Sequence, residues 1–348
     1  MLALRIVGAI FALALFLIAV YRYPRRQISR LNLIISWGLG IVIALLAATP
    51  NLFNPIFEIF NFKPGGQRRL LATELFAILI LFALIVRNMS YTDVATRSVR
   101  DLVEALALQS FDWDRASQIP AGRRVVVVSP AHNEAENVAA VIEDIPDDID
   151  GVPVIPIVID DGSTDATTEE AEKAGALVAR LPIRRGGGLA LRVGYEIALR
   201  LGAEVVVSID ADGQHVPEEM ITLVKPILDE EADLVNGSRI LGEFQRESVV
   251  RHLGVHFFSR LVTIMVGSRV TDVSNGYRAI RADILRTLRL DQDQFWASEL
   301  LIEGMRHRLR IAEVPITVRA RAGGVSKKPK NAKYAYNFLK AIVKTWLR

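Results

Sequence analysis

From Arg123 onward the chain repeats one alternation: a short β-branched run, a polar loop, then a stretch with helical spacing. The runs are Val125–Val128, Val154–Ile159, Ala176–Ala179 and Glu204–Ile209. Continuous apolar strands of this length are buried on both faces, and strands alternating with helices call for a parallel sheet covered by helices on each side. In an α/β fold of that kind the ligand site lies at the carboxyl ends of the strands. What sits at those ends therefore decides the chemistry.

Three of the four ends carry acids. The first continues as Ser129-Pro130-Ala131-His132-Asn133-Glu134, the second as Asp160-Asp161-Gly162-Ser163-Thr164-Asp165, and the fourth as Asp210-Ala211-Asp212-Gly213-Gln214-His215. Carboxylates brought to one sheet edge repel unless a cation lies between them, so a divalent metal is the natural occupant. Asp210 and Asp212 alternate in an extended segment and Gln214 adds a neutral oxygen, a hard donor set suited to Mg²⁺ or Mn²⁺ carrying a substrate diphosphate. Taken singly, each motif is also ordinary loop chemistry, with Ser163 or Asp165 capping the next helix. Gly186, Gly187 and Gly188 either cradle a phosphate or form a tight turn opening a helix over Leu189–Leu201.

The first ninety residues belong to a different kind of protein. Ile6–Tyr21 and Leu31–Phe57 are uncharged apolar runs, and Leu70–Val86 is apolar except for Glu74. Each approaches or exceeds the roughly 20 helical residues that cross a bilayer, so a three-helix transmembrane anchor is expected over 1–90. A cleaved signal peptide is the alternative for the first run, but no small-x-small cleavage site follows it. Arg22, Arg25, Arg26 and Arg30 mark the first loop as cytoplasmic, which places the following domain on the cytoplasmic side of an integral membrane protein. Residues 91–120 are expected as a helical linker, with Val99, Leu102, Val103 and Leu106 on one face, and 331–348 as a basic amphipathic helix.

Net charge follows the same division. Residues 1–90 hold nine Lys/Arg and two acids, whereas the remainder holds 33 basic and 37 acidic residues. An acidic second part argues against bulk nucleic-acid binding. The absence of cysteine excludes disulfides, thiolate catalysis and cysteine-held metal.

The order of these motifs, together with Gly237-Ser238-Arg239, Asp272, Asn275-Gly276-Tyr277-Arg278, Glu313-Val314-Pro315-Ile316 and Arg321 six residues before Lys327, resembles the inverting family 2 glycosyltransferases of GT-A fold. The resemblance runs over about 200 residues and is nearest to the dolichyl-phosphate mannose synthases and bacterial polyprenyl-phosphate glycosyltransferases. It implies a Rossmann-like nucleotide-diphospho-sugar domain over 121–330. The N-terminal segment resembles, more weakly, a three-span domain that accompanies such transferases.

By that resemblance Pro130, His132, Glu134, Ile159 and Asp161 line the nucleotide pocket, with Ala211 against the ribose. Asp210, Asp212 and Gln214 hold the metal. Arg239, Arg321 and Lys327 are cations for the donor phosphates, and Arg239 and Arg251 for an acceptor phosphate. The glycine-containing stretch Arg319–Lys330 reads as a lid. Asp212, Arg239 and Asp272 are the candidate catalytic groups. Asp272 and Glu299 invite assignment as general base, although an acceptor phosphate is already largely ionised near neutral pH and needs none.

The expected reaction moves a hexose from GDP-mannose or UDP-glucose to a polyprenyl phosphate, dolichyl or undecaprenyl, at the cytoplasmic face; the alternative is another lipid or a polysaccharide acceptor. A homo-oligomer is compatible with either. A polysaccharide synthase would need Gln-x-x-Arg-Trp, and none of the four tryptophans follows an arginine. A sugar-nucleotide pyrophosphorylase would need a glycine-rich basic signature where Pro130–Glu134 stands, and a scaffold would leave the acids at three strand ends unexplained.

Overall fold

In the computed structural model the chain divides into two units, Met1–Val94 and Ala95–Arg348. The structure describes residues 2–22, 30–48, 95–242, 249–267, 269–320 and 332–347, with isolated positions between 77 and 92.

In the first unit helix α1 (Leu2–Arg22) contains the first apolar run, and α2 (Arg30–Ala48) contains residues 31–48 of the second. Small residues let them approach: Ala12 and Ala19 are buried, and a Cβ on Gly40 would lie 3.5 Å from the Ala12 carbonyl. Phe16 stacks on Trp37 with centroids 5.0 Å apart. Ile10, Phe11, Leu17, Ile34 and Ile41 stay exposed. Among the described residues no helix is long and apolar enough to cross a membrane. The third expected span, 70–86 with Glu74, lies outside the described residues.

The second unit is an eight-stranded sheet between helical layers. Its strands are β1 (Val125–Ala131), β2 (Asp148–Ile149), β3 (Val152–Asp160), β4 (Leu177–Arg180), β5 (Val205–Ser208), β6 (Leu234–Ser238), β7 (Arg278–Arg281) and β8 (Ile311–Pro315). Its helices are α3 (95–110), α4 (Trp113–Ser117), α5 (Val138–Glu143), α6 (Thr167–Lys173), α7 (Gly187–Arg200), α8 (Met220–Leu228), α9 (Val249–Val266), α10 (Ala282–Leu285), α11 (Trp296–Arg306) and α12 (Ala332–Trp346).

The four expected runs become β1, β3, β4 and β5. The sheet order is β2-β3-β1-β5-β7-β6-β8, with β4 also paired to β3. β1 lies parallel to β3 on one side and to β5 on the other, with Ala131 opposite Asp160 and Val128 opposite Ser208. The chain turns outward in opposite directions from β1, and such a switch point leaves a crevice at the carboxyl ends. β7 enters antiparallel between β5 and β6.

Alternate residues of each strand feed two cores. Val126, Val128, Ile157 and Ile159 pack with Leu189, Val193 and Ile197 of α7. Val125, Val127, Val205 and Val207 pack with Val138, Met220 and Val224 of α5 and α8 on the other face. α7 comes so close that a Cβ on Gly194 would stand 2.1 Å from Cγ1 of Val128.

Two helices at the margins of the sheet contribute to its core. α3 is no free linker: Val103, Ala107 and Phe111 enter the first core, although Val99, Leu102 and Leu106 of the expected apolar face remain exposed. α12 likewise buries Phe338 and Ile342, with Phe338 edge-on to Phe258 of α9 at 4.6 Å. Its opposite face exposes Tyr336, Trp346 and Leu347 beside Lys340 and Lys344. A helix with both a core face and an outer apolar face belongs to the domain that it covers.

Candidate active site

The three acid-bearing ends are neighbours because β1 lies between β3 and β5. Side chains and main chain lace the first two together. The Asn133 N–H donates to Ser163 Oγ (2.9 Å), the Thr164 N–H to Asn133 Oδ1 (2.9 Å), and the Glu134 N–H to Thr167 Oγ1 (2.9 Å). Asn133 has φ +52°, a conformation that asparagine tolerates better than most residues.

Asp160, given no role in the sequence reading, is fully buried and accepts from the Ser163 N–H (2.7 Å) and the Thr168 hydroxyl (2.6 Å). It shapes the turn that presents Asp161. Asp161 accepts from the N–H groups of Arg185 (2.6 Å) and Gly186 (2.7 Å), so it clamps the loop entering α7. Burial raises its pKa despite those two donors and the charge of neighbouring His132. Glu134 is buried and accepts from Asn137 Nδ2 at 3.0 Å.

Among the expected pocket residues, Pro130 stands half-buried opposite Ile159, and His132 is half-buried just beyond β1. Ile159 and Ala211 differ from expectation. Ile159 is wholly buried toward α7, and Ala211 is buried in the core on the other face, so neither side chain reaches the crevice. What they can offer a ligand is main chain.

Beyond β5, Asp212 is buried and accepts from the Gln214 N–H at 3.2 Å. The Gln214 side-chain nitrogen donates to the Arg319 carbonyl (3.2 Å), and the Arg319 N–H donates to the Gln214 carbonyl (2.7 Å). With the antiparallel bridge between His215 and Val318, this ties the start of the expected lid to the acidic loop. Arg321 and Lys327 themselves lie outside the described residues, as does the side chain of Arg251.

Among the described residues no three His, Cys, Asp or Glu side chains gather as a metal cage. Two carboxylates one residue apart, with an amide oxygen beside them, instead match an open site that leaves positions for water and substrate oxygens. The donor chemistry therefore fits Mg²⁺ or Mn²⁺.

Arg239 and Asp272 form a bidentate pair: Nε to Oδ2 at 2.6 Å and Nη2 to Oδ1 at 3.0 Å. Arg239 Nη2 also donates to Ser274 Oγ at 2.6 Å. Asp272 is completely buried. Burial pushes its pKa up, but the charge and hydrogen bonds of Arg239, helped by Arg278, outweigh it and leave the pKa below the ordinary value. Glu313 on β8 holds the segment in place by accepting from the Thr271 N–H at 2.8 Å. Arg278 is buried, donates to the carbonyls of Ala297 and Val273, and is depressed to about 10 by desolvation.

Glu299, the other candidate base, accepts from the N–H groups of Asp291 and Gln292, both at 2.9 Å. It braces the 291–295 loop. The glycines 186–188 meet that same loop: the Gly188 N–H donates to the Asp293 carbonyl (2.9 Å), and a Cβ on Gly186 would be 2.8 Å from the same oxygen. The tight-turn reading of these glycines accounts for their contacts. Asp293 itself pairs with Arg100, Arg185 and Arg192 at 3.1, 3.5 and 2.7 Å. Asp293 carries no spacing signal in the sequence, because it is a loop acid outside every motif.

Comparison with known proteins agrees with this geometry. Residues 126–289 match the Glycosyl transferase family 2 domain. The undecaprenyl-phosphate mannosyltransferase of Micrococcus luteus is 34% identical over 215 residues, spanning 59% of this chain and 87% of that protein. The dolichyl-phosphate hexose transferase of Haloferax volcanii is 31% identical over 205 residues, 59% of this chain and 87% of that one. Among solved structures, glucosyl-3-phosphoglycerate synthase from Mycobacterium tuberculosis, in complex with Mn²⁺, UDP and glucosyl-3-phosphoglycerate, superposes with a TM-score of 0.53 at 26% identity. That match covers 68% of this chain and 84% of the synthase.

Proposed function

The chain belongs to glycosyl transferase family 2 and is a glycosyltransferase, and we propose that it moves a hexose from a nucleotide-sugar to a polyprenyl phosphate at the cytoplasmic membrane face. The observation that carries this reading is the adjacency of the acidic ends of β1, β3 and β5, beside a cation held by a buried carboxylate. Relatives named for transfer to undecaprenyl and dolichyl phosphates supply the acceptor class. The donor is GDP-mannose or UDP-glucose.

Bound Mg²⁺ or Mn²⁺ would be held by Asp210 and Asp212, with Gln214 as neutral oxygen donor, and would supply charge neutralisation to the departing diphosphate. The chain's own groups do the rest. Pro130, His132, Glu134 and Asp161 border the nucleotide. Arg239, with Nε and Nη2 fixed by Asp272 and Ser274, grips the acceptor phosphate, joined by Arg251. Arg321 and Lys327 close over the donor phosphates.

The acceptor phosphate is already ionised, so its oxygen displaces the diphosphate at the anomeric carbon, with inversion and without a general base. Asp272 serves by holding Arg239, since its carboxylate is already spent on that guanidinium. Catalysis then rests on alignment and electrostatics.

Membrane attachment is part of the same reading. A long-tailed acceptor stays in lipid while its phosphate meets a soluble donor at the interface. The uncharged runs Ile6–Tyr21 and Leu31–Phe57, and the exposed apolar faces of α1 and α2, support an anchor there.

The test is transfer by purified protein with Mn²⁺ or Mg²⁺, radiolabelled nucleotide-sugars and undecaprenyl phosphate, with 3-phosphoglycerate as a soluble acceptor and Asp212→Ala as control. Lipid-linked product lost in the control supports the proposal. Product on phosphoglycerate alone, or full activity in the Asp212 variant, overturns it.

A further inference from the structure

Trp296 opens α11 and is half-buried. Its indole edge runs between two glycines. A Cβ on Gly187 would lie 3.4 Å from Nε1, and a Cβ on Gly276 would lie 3.0 Å from Cζ2 and 3.1 Å from Cη2. The same point at Gly276 is 3.3 Å from Asp210 Oδ1, so the benzo edge of the indole and the first carboxylate of the acidic pair share one niche.

Five buried or half-buried charged groups converge on this short segment. Glu299 fixes the N–H groups of Asp291 and Gln292, Asp293 is gripped by Arg192 and Arg100, and buried Arg278 donates to the Ala297 carbonyl. Phe295, immediately before the tryptophan, is held at φ +61°, a costly conformation for a bulky residue. Desolvated charges and backbone strain of this kind persist where a side chain must be preorganised. The ring so positioned is half-buried, and among the described residues its N–H meets no acceptor. One part of the ring packs against the first core, beside Leu191 and Leu300. A buried or half-buried tryptophan ordinarily satisfies its N–H.

We propose that Trp296 is the platform of the donor-sugar subsite: the indole packs on the hexose ring and its N–H donates to a sugar hydroxyl. This rests on the glycosyl-transfer reading above. The diphosphate belongs beside Asp210 and Asp212, and the transferred hexose is the next group along the donor. An aromatic face with one polar edge suits an object with an apolar C–H face and polar rim. Gly187 keeps the space in front of the N–H open.

Isothermal titration of the full-length protein in detergent with Mg²⁺ tests it, comparing each nucleotide-sugar with its nucleoside diphosphate. Trp296→Phe keeps a ring and removes the N–H. Gly187→Ala keeps the tryptophan and fills the niche; Gly187 has no positive φ and stands at the first position of α7, so alanine there is tolerated. Both variants should weaken nucleotide-sugar binding about tenfold, one hydrogen bond's worth, and leave the diphosphate within twofold. Equal losses for sugar and diphosphate, or no loss in Gly187→Ala, would overturn the inference. Wild-type protein that binds no nucleotide-sugar at all would instead overturn the functional reading on which it stands.

Discussion

At Asp272 burial and ion pairing pull in opposite directions, and pairing with Arg239 wins. The folded-state pKa lies below the ordinary carboxylate value, so the unfolded chain binds the proton first as pH falls. The stabilisation is therefore complete above that ordinary value and is lost as pH drops through the folded pKa. Asp272→Asn should cost about 3–5 kcal/mol near neutral pH, because it strands Arg239, and should make the acid limb of stability shallower. Urea unfolding at a series of pH values measures both. Since the carboxylate positions Arg239, the variant should lose roughly 10–100-fold in kcat/KM while its pH profile keeps its shape. A profile that loses an ionisation would return Asp272 to the role of base. Asp212→Asn, which leaves the fold's hydrogen bonding nearly intact, should lower kcat/KM by about a hundredfold or more with an unchanged unfolding midpoint.

Among the elements, α7 shows how glycines let a helix lie close to both the sheet and the 291–295 loop. Gly194 lets the helix lie on Val128 and Ile159, so Gly194→Ala should destabilise by about 1–3 kcal/mol, read as a lower urea midpoint with unchanged slope. Gly187→Ala on the same helix should leave the midpoint unchanged or raise it. The bridge between His215 and Val318 gives the second element-scale expectation. Downstream of that tether, nucleotide-sugar with Mg²⁺ should slow tryptic cleavage after Arg321 and Lys327. Cleavage at the same rate with and without ligand would count against closure of the segment over the donor.

For the molecule as a whole, the opposite charges of its two units acquire separate reasons. Under the proposed function the basic, apolar unit is the membrane anchor, and the acidic unit gathers carboxylates at the carboxyl ends of β1, β3 and β5. The full chain should stay with membranes through alkaline carbonate extraction. The unit from Ala95 onward should be released from them yet keep a cooperative unfolding transition, since its two cores lie entirely within it. A cut at 120, at the expected end of the linker, should destabilise the domain by removing Val103, Ala107 and Phe111 from the first core.

The periodicity of the chain was enough for β1, β3, β4 and β5, because each is a continuous β-branched run bounded by turn residues. It was not enough for β6, β7 and β8, where Asn236, Ser238, Arg278 and Glu313 interrupt the apolar pattern. Those polar residues meet partners far along the chain, such as Asn236 Nδ2 donating to Glu313 Oε1 at 2.8 Å. The acids of the site were legible because they follow strands directly. Whether an acid is offered to a ligand or spent on the protein was not legible, since that depends on which backbone N–H groups the fold brings to it. Glu299 is spent on a loop, and Asp272 on an arginine. By itself, then, the sequence determined the α/β order, the chemistry gathered at the strand ends and the family, all of which are local patterns. Only the tertiary structure decided that α3 and α12 are core, that Ile159 and Ala211 face inward, and that Trp296 stands beside Asp210, because burial and contact are properties of chain segments meeting across a hundred residues.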